Sequence, residues 1–528
     1  MPSSLAHLPA TIPAALQARA ANAGDDFLIG TSFRLSFGEA DERSLELAGR
    51  LLARGVGKGT RLGLLFPNDP SWVITWLAAA RIGALTVPLS TFSPGPELAR
   101  ALRHADVQAL LMAATFGDVD LKARIELALP GLDSSGPEIE LESAPFLRWA
   151  HVGGASPSWS SPLSRAVRPA TVLAAQNEVV PADALALVTT SGTSGAPKAV
   201  VHTHGSLVRH AAVLAEHRGL TPADRIYSPM PFFWVGGITM VLLHALTSGA
   251  AAVVQERFEP GEALDLIERE RVTHLSCWPN AARAMAEHPS FSGRNLSAVR
   301  SGTLHEALPP ELRPTAPDLA PTSLGMTETG GPHTASDEPY TPLPEALRGT
   351  YGRALTGMEH RVVDPATGAE LEQTDTGELL VRGVFLMSEL YKQERHDTFT
   401  PDGWYASGDL GSFDRDGCLR FGGRLNAMIK SGGSNVAPAE VEAALREIPG
   451  VENAYVFGLP AGDRGEDVAA VVVPAPDATP DIAELTAAAR QLLSGYKVPR
   501  HVRLLAESQL PTLPTGKVDM SELRALFS

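Results

Sequence analysis

The sequence predicts an α/β protein: a large N-terminal domain of α/β subdomains plus a small β-rich subdomain, followed by a small α+β C-terminal domain. Three observations predict it. Helix-like and strand-like segments alternate from about residue 40 to residue 280, and short β segments broken by Gly and Asp turns follow over about 347–423. After GRLNAMIK the chain settles into a compact unit of about 100 residues, an ordinary domain size.

In the first stretch SLELAGRLLARG has the apolar repeat of an amphipathic helix, and RLGLLFP reads as a buried strand. SWVITWLAAARIG and ALTVPLS repeat that pair, as do ITMVLLHALTSG with AAAVV and GEALDLIERERV with THLSCW. Short strands without polar alternation, set between helices, indicate buried and largely parallel strands. Residues 131–183 are richer in Ser, Pro and Gly and lack sustained periodicity, so they read as loops and short elements inside one large domain. HRVVDPATGAEL, GELLVRG and GCLRFGG supply the β-rich subdomain. The last unit reads as helix APAEVEAALREI, strands in NAYVFGL and VAAVVVPA, helix IAELTAAARQLLSG and a strand near HVRLL. No internal repeat is present.

With 528 residues and 44% hydrophobic content the chain supports more than one core. Its formal charge of −16 excludes a protein that holds nucleic acid through a general positive field, so anionic ligands must be held locally. Cys277 and Cys418 are far apart and form no disulfide framework, which predicts a reducing cytoplasm. The N-terminal residues lack the basic start and apolar run of a signal peptide, and no apolar stretch approaches the roughly 20 residues of a membrane span. The expectation is a soluble enzyme with no membrane span and no nucleic-acid partner.

The most informative segment is ALALVTTSGTSGAPKAVVHTHGSLVRHAAVL, in which a strand runs into TSGTSGAPK and then into a helix starting near Ser206. Glycines and small hydroxyl residues let backbone N–H groups, hydroxyls and a lysine wrap a phosphate chain. It is not a Walker loop, because Pro197 precedes Lys198 and Ala199 follows it. SFDRDG, with Ser412, Asp414 and Asp416, lacks a closing Glu at Gly423 and reads as a β-turn instead of a calcium loop. His202, His204 and His210 have no Cys or acid at ligand spacing, so they read as structural.

TSGTSGAPK closely resembles the phosphate loop of the adenylate-forming superfamily, which comprises acyl-CoA synthetases, amino-acid adenylation domains and luciferases. SLGMTETGG, YASGDLGSFDRDG, GRLNAMIKSGGSNVAPAEVE and LPTLPTGKVD follow in the family's order, and with KGTRLGLLFPNDPSWVITWLAAARIGALTVPLS the resemblance covers almost the whole chain. It implies ATP-dependent activation of a carboxylic acid to an acyl-AMP with pyrophosphate release, then acyl transfer. The domains it implies are 1–425, carrying the ATP and acyl pockets, and 426–528, a mobile lid.

Activation brings two anions together, so positive charge and donors are needed where negative charge develops. By resemblance Thr190, Ser191, Gly192, Thr193, Ser194, Gly195 and Lys198 hold the β- and γ-phosphates, Thr327 bonds the α-phosphate and Glu328 holds Mg²⁺. Asp409 accepts from the ribose hydroxyls with Arg424 assisting. Gly302, Thr303, Leu304, Leu324, Gly325 and Met326 are the nucleotide-pocket candidates. Lys517 is the catalytic lysine of the first half-reaction, and Asn426 is the hinge, where Asp or Lys is more usual. Ala427 follows where many relatives carry an acid.

The segment PMPFFWVGGI matches the family's acyl pocket, giving Trp234, Val235, Gly236 and Gly237, with Gly325 and Met326, as its candidate lining. Trp234 stands where many relatives have His and fits an apolar or cyclic acid. FFWVGG contains no Asp for a substrate amine, which disfavours an α-amino acid. SGGSNVAPAE is placed beside the tunnel of a CoA arm, and Lys497, Arg500, His501 and Arg503 form a local basic cluster that reads first as a solvated surface, with contact to the anionic end of CoA as the alternative. The leading acceptor is CoA; the alternatives are an amine, in an amide-forming ligase, or no acceptor, in a catalytically silent binding relative. Intact Lys198, Glu328, Asp409, Arg424 and Lys517 argue against the last.

Overall fold

The computed structural model describes residues 5–190, 198–425, 428–475, 478–511 and 518–527. Two large mixed sheets form the N-terminal part. The seven-stranded one runs, in spatial order, Glu389–Leu390, Lys198–Thr203, Ala184–Thr190, Leu85–Pro88, Arg61–Leu65, Ala109–Ala113 and Trp149–Gly153. Its central pairings are parallel, and Lys198–Thr203 is antiparallel to both its neighbours. The six-stranded sheet pairs Ala251–Val254 in parallel with Arg225–Ser228 and Asp26–Ile29.

Local signals explain the helices between these strands. Ser36 and Glu39 form a reciprocal capping box at the start of Phe37–Ala53. Asp69 accepts from Trp72 N at 3.0 Å ahead of Pro70–Arg81, whose Trp72 and Trp76 are fully buried. The helix after the glycine-rich segment, His204–His217, starts two residues ahead of the sequence expectation because Thr203 caps it.

The stretch 131–183 holds loops and short elements, one of which joins the seven-stranded sheet. It contributes the strand Trp149–Gly153, paired in parallel with Ala109–Ala113, and the helix Pro169–Asn177. Met358–Val363, Gly377–Gly383, Tyr405–Phe413 and Leu419–Arg424 form the β-rich part as an antiparallel sheet. Within SFDRDG, Ser412 and Phe413 end one strand and residues 414–417 make the turn to the last one, with Asp414 accepting from Asp416 N and Cys418 N.

In the C-terminal part Val451–Pro460, Glu466–Pro474 and His501–Leu504 form a three-stranded sheet. The helices Pro438–Arg446 and Ile482–Leu492 pack on one face through Val441, Leu445 and Leu485. Among the described residues no helix is long and apolar enough to cross a membrane.

Candidate active site

The site opens at the carboxyl ends of the parallel strands, where open α/β sheets leave room for ligands. Lys198 lies opposite Thr190 on adjacent antiparallel strands, so the two ends of the glycine-rich segment are fixed side by side. Ser191, Gly192, Thr193, Ser194 and Gly195 lie outside the described residues, as do Asn426, Ala427 and Lys517.

Thr327 and Glu328 occupy the 3₁₀ turn Thr327–Thr329 between the strands Ser323–Met326 and Gly331–Ala335. Gly330 ends the turn at φ 72°, a conformation that favours glycine. Two buried histidines support it from below: Nε2 of His202 donates to Thr327 O at 2.7 Å, and Nε2 of His210 donates to Pro332 O at 2.6 Å. A carbonyl oxygen can only accept, so Nε2 carries the proton in both rings. Burial lowers both histidines to about 4, which keeps them neutral. The Tyr405 hydroxyl donates to Glu328 Oε1 at 3.0 Å and fixes the carboxylate's direction.

These groups border one cleft of about 500 Å³. Thr190, Lys198, Thr327 and Glu328 stand at it with Trp234, Val235, Gly236 and Met326, and the C-terminal part adds Gly433, Ser434 and Asn435. A second cavity of about 250 Å³ holds Leu324, Gly325, Asp409, Lys430 and Phe421. Asp409 is buried and in register with Arg424 on the neighbouring strand. A third, of about 340 Å³, shares Phe233, Trp234, Ser434 and Tyr496 with the main cleft. Its wall is aromatic: the Trp234 and Trp278 ring centroids are 5.4 Å apart, and Phe233 meets Trp234 edge-on at 5.9 Å.

A cleft that sets a lysine, two threonines and one carboxylate beside an aromatic wall suits an anionic cosubstrate next to an apolar acid. The family model for AMP-binding enzymes matches residues 16–391, and that for the AMP-binding enzyme C-terminal domain matches residues 440–517. The chain belongs to the AMP-binding enzyme family. It is an ATP-dependent, AMP-forming acid ligase that activates a carboxylic acid as an acyl-AMP.

This AMP-binding enzyme is 30% identical over 506 residues to the feruloyl-CoA synthase of an Amycolatopsis species, covering 93% of this chain and 94% of that one. It is 31% identical over 490 residues to the indoleacetate–CoA ligase of Aromatoleum aromaticum, covering 91% of each. The solved amide bond synthetase McbA from Marinactinospora thermotolerans superposes with a TM-score of 0.80 at 26% identity, covering 98% of this chain and 99% of that one.

Several expected residues of the AMP-binding enzyme stand elsewhere than the motifs alone imply. Gly302, Thr303 and Leu304 border neither the main cleft nor the Asp409 cavity. Thr303 Oγ1 donates to Cys277 O at 2.8 Å, and Leu304 folds back into the core with Leu275 and Met285. Gly237 is buried behind the lining, where a Cβ would come within 2.1 Å of Pro231 O. The turn leads into a π-helical stretch, Ile238–Leu243. The basic cluster is dispersed: Lys497 is buried against Glu97 and Glu440, Arg500 and His501 face Asp467 at 3.3 Å each, and Arg503 lies over the Phe527 ring. Lys497 therefore has no charge to spare for CoA.

Tyr405, Lys430 and Trp278 are the additions that sequence reasoning missed. Tyr405 stood in the quoted YASGDL without a role. Tyr405→Phe removes one hydrogen bond to a carboxylate, worth about 1.5–3 kcal/mol. It is expected to raise the magnesium concentration for half-maximal pyrophosphate release about tenfold or more. An unchanged magnesium titration contradicts that role.

Proposed function

We propose that this enzyme activates an aryl or other ring-bearing carboxylic acid and passes the acyl group to the thiol of CoA. The observation that carries the acid class is the aromatic wall of Phe233, Trp234 and Trp278, of which Phe233 and Trp234 line the main cleft and which gives a planar apolar group large contact area. The names of the two curated relatives, acting on feruloyl and indoleacetate groups, agree with it.

In this reading Thr190, Lys198 and the intervening glycine-rich residues hold the β- and γ-phosphates, and Thr327 bonds the α-phosphate. Asp409 and Arg424 hold the ribose, with Leu324, Gly325 and Met326 beside the base. Glu328 gives Mg²⁺ one protein ligand. Bound there, Mg²⁺ would offset the charge of the phosphates. Lys517 bridges the two reacting anions. The chain divides into 1–425 and 426–528, with the turn of the smaller unit made at Asn426, and the enzyme works in the cytoplasm.

An amine is the second acceptor to test. Lys497, Arg500 and His501 each face carboxylates, so the basic cluster leaves little positive charge for the nucleotide end of CoA. The likeness to an amide bond synthetase points the same way. Pyrophosphate release is to be measured over a panel of aryl and alkyl acids, followed by product mass spectra with CoA and with amines. Aryl acids are expected to turn over fastest and to give a thioester. Acyl-AMP without thioester sinks the CoA reading, and preference for linear alkyl acids sinks the acid class.

A further inference from the structure

One helix of the N-terminal part grips the C-terminal part. Glu97, on Gly95–His104, receives the Lys497 ammonium, which also donates to Glu440 Oε1 at 2.8 Å. Ser494 gives Glu97 Oε2 two further donors, its amide at 3.2 Å and its hydroxyl at 2.6 Å. Arg100, one turn along, donates to Leu492 O at 3.2 Å, at the end of Ile482–Leu492.

The side chains of Glu97, Lys497 and Glu440 are 14%, 7% and 11% exposed, so solvent screens these charges little. Lys497 and Glu440 both belong to the C-terminal part and are neutral as a pair; Glu97 does not. If the C-terminal part turns away, it takes a neutral pair with it and returns Glu97 to water. No unpaired charge is left buried, so the contact can hold one orientation and also release it.

The orientation it holds is a particular one. Gly433, Ser434 and Asn435, in the hairpin formed by Ile429–Ser431 and Ser434–Val436, stand at the main cleft. Gly433 seats directly on Trp278, where a Cβ would lie 2.1 Å from the indole Cδ1.

We propose that Glu97 is a positioning residue for the transfer step: by catching Lys497 it holds this hairpin at the cleft while the acyl group passes to its acceptor. The proposal rests on the two-step reading above. Its direct test uses the full chain with fluorophores at Leu173→Cys and Ile482→Cys, positions 45% and 42% exposed on the two parts. Glu97→Gln is expected to shift the label distance, to leave acyl-AMP formation within about twofold and to lower kcat for transfer from supplied acyl-AMP about tenfold, with little change in acceptor KM. Glu97→Asp keeps a carboxylate for Lys497 and Ser494 and is expected to recover most of both distance and transfer.

An unchanged distance in Glu97→Gln overturns the proposal, as does an equal loss of both half-reactions in a variant with the parent melting temperature. If the parent enzyme forms no acyl-AMP with any acid, the two-step reading fails by itself. The label distance then still decides whether Glu97 sets the orientation.

Discussion

Replacing Lys517 with alanine is expected to slow acyl-AMP formation by about 10²–10³-fold while transfer from supplied acyl-AMP continues near the parent rate. The charge inventory of the cleft makes the effect large. Joining a carboxylate to the α-phosphate concentrates negative charge at the point of attack, and the cations at hand are few. Lys497 is occupied by Glu97 and Glu440, and Arg100 is turned to Leu492 O. Lys198 starts its strand opposite Thr190, at the end of the cleft assigned to the outer phosphates. The proposed reaction therefore calls for another cation, which is the role proposed for Lys517 of the PTGK motif.

Lys517→Arg is expected to restore little, because a planar guanidinium does not reproduce a compact point charge between two oxyanions. Single-turnover pyrophosphate release and the rate of acyl loss from supplied acyl-AMP separate the steps. Equal loss in both assigns Lys517 to folding or to general phosphate binding instead.

The architecture was legible because the strongest signals are local. Alternating apolar helices and short apolar strands specified the two large sheets, and Gly–Asp punctuation specified the antiparallel sheet of 358–424. The strand Trp149–Gly153 was hidden, because five residues with His151 in the middle carry too little apolar pattern to stand out in a Ser- and Pro-rich stretch. The helix over ITMVLLHALTSG was foreseen, but its π-helical part was not, since a buried apolar run looks the same in either register.

Motif order singled out Thr190, Lys198, Thr327 and Glu328, which share one cleft, whereas anything set by long-range packing could not be read. Lys497 looked like one member of a basic surface cluster. Its partner Glu97 lies 400 residues earlier, and no spacing rule joins them. Leu304 was placed at a pocket because SGTLHEALPP occupies the place of the family's adenine loop, although its wording departs from it, and the fold turned Leu304 inward to the core. Trp278 acquired meaning only once Trp234 and Gly433 were seen against it.

Mild acid is expected to unfold this enzyme in a window set by histidine. Burial is the largest cause lowering His202, His204, His210, His274 and His360 to about 4, and His244 and His333 lie well below the usual value. In the unfolded chain these rings titrate near 6.5. Between the two values the unfolded chain binds protons that the native enzyme refuses, so stability is full above about pH 6.5 and falls as pH drops toward 4. Each shift of that size is worth about 3 kcal/mol when fully expressed. Several together rival the roughly 5–15 kcal/mol that holds a typical domain folded. Carboxylates with lowered pKa, such as Asp224 and Glu270, add their loss at lower pH, so the histidine window comes first.

Activity falls in the same window because the folded fraction falls; in the native enzyme His202 and His210, which carry the turn that presents Thr327 and Glu328, stay neutral down to about pH 4. Protonating Nδ1 leaves the Nε2 bonds intact but places a charge beside apolar neighbours such as Leu207 and Phe385. The melting temperature is expected to be level above pH 7 and to fall steeply from pH 6 to 5. Unfolding in that range is expected to take up several protons, measurable as a buffer-dependent calorimetric heat. A melting temperature that stays level down to pH 5, or unfolding without proton uptake, shows that these rings are reached by solvent and pay no penalty for charge.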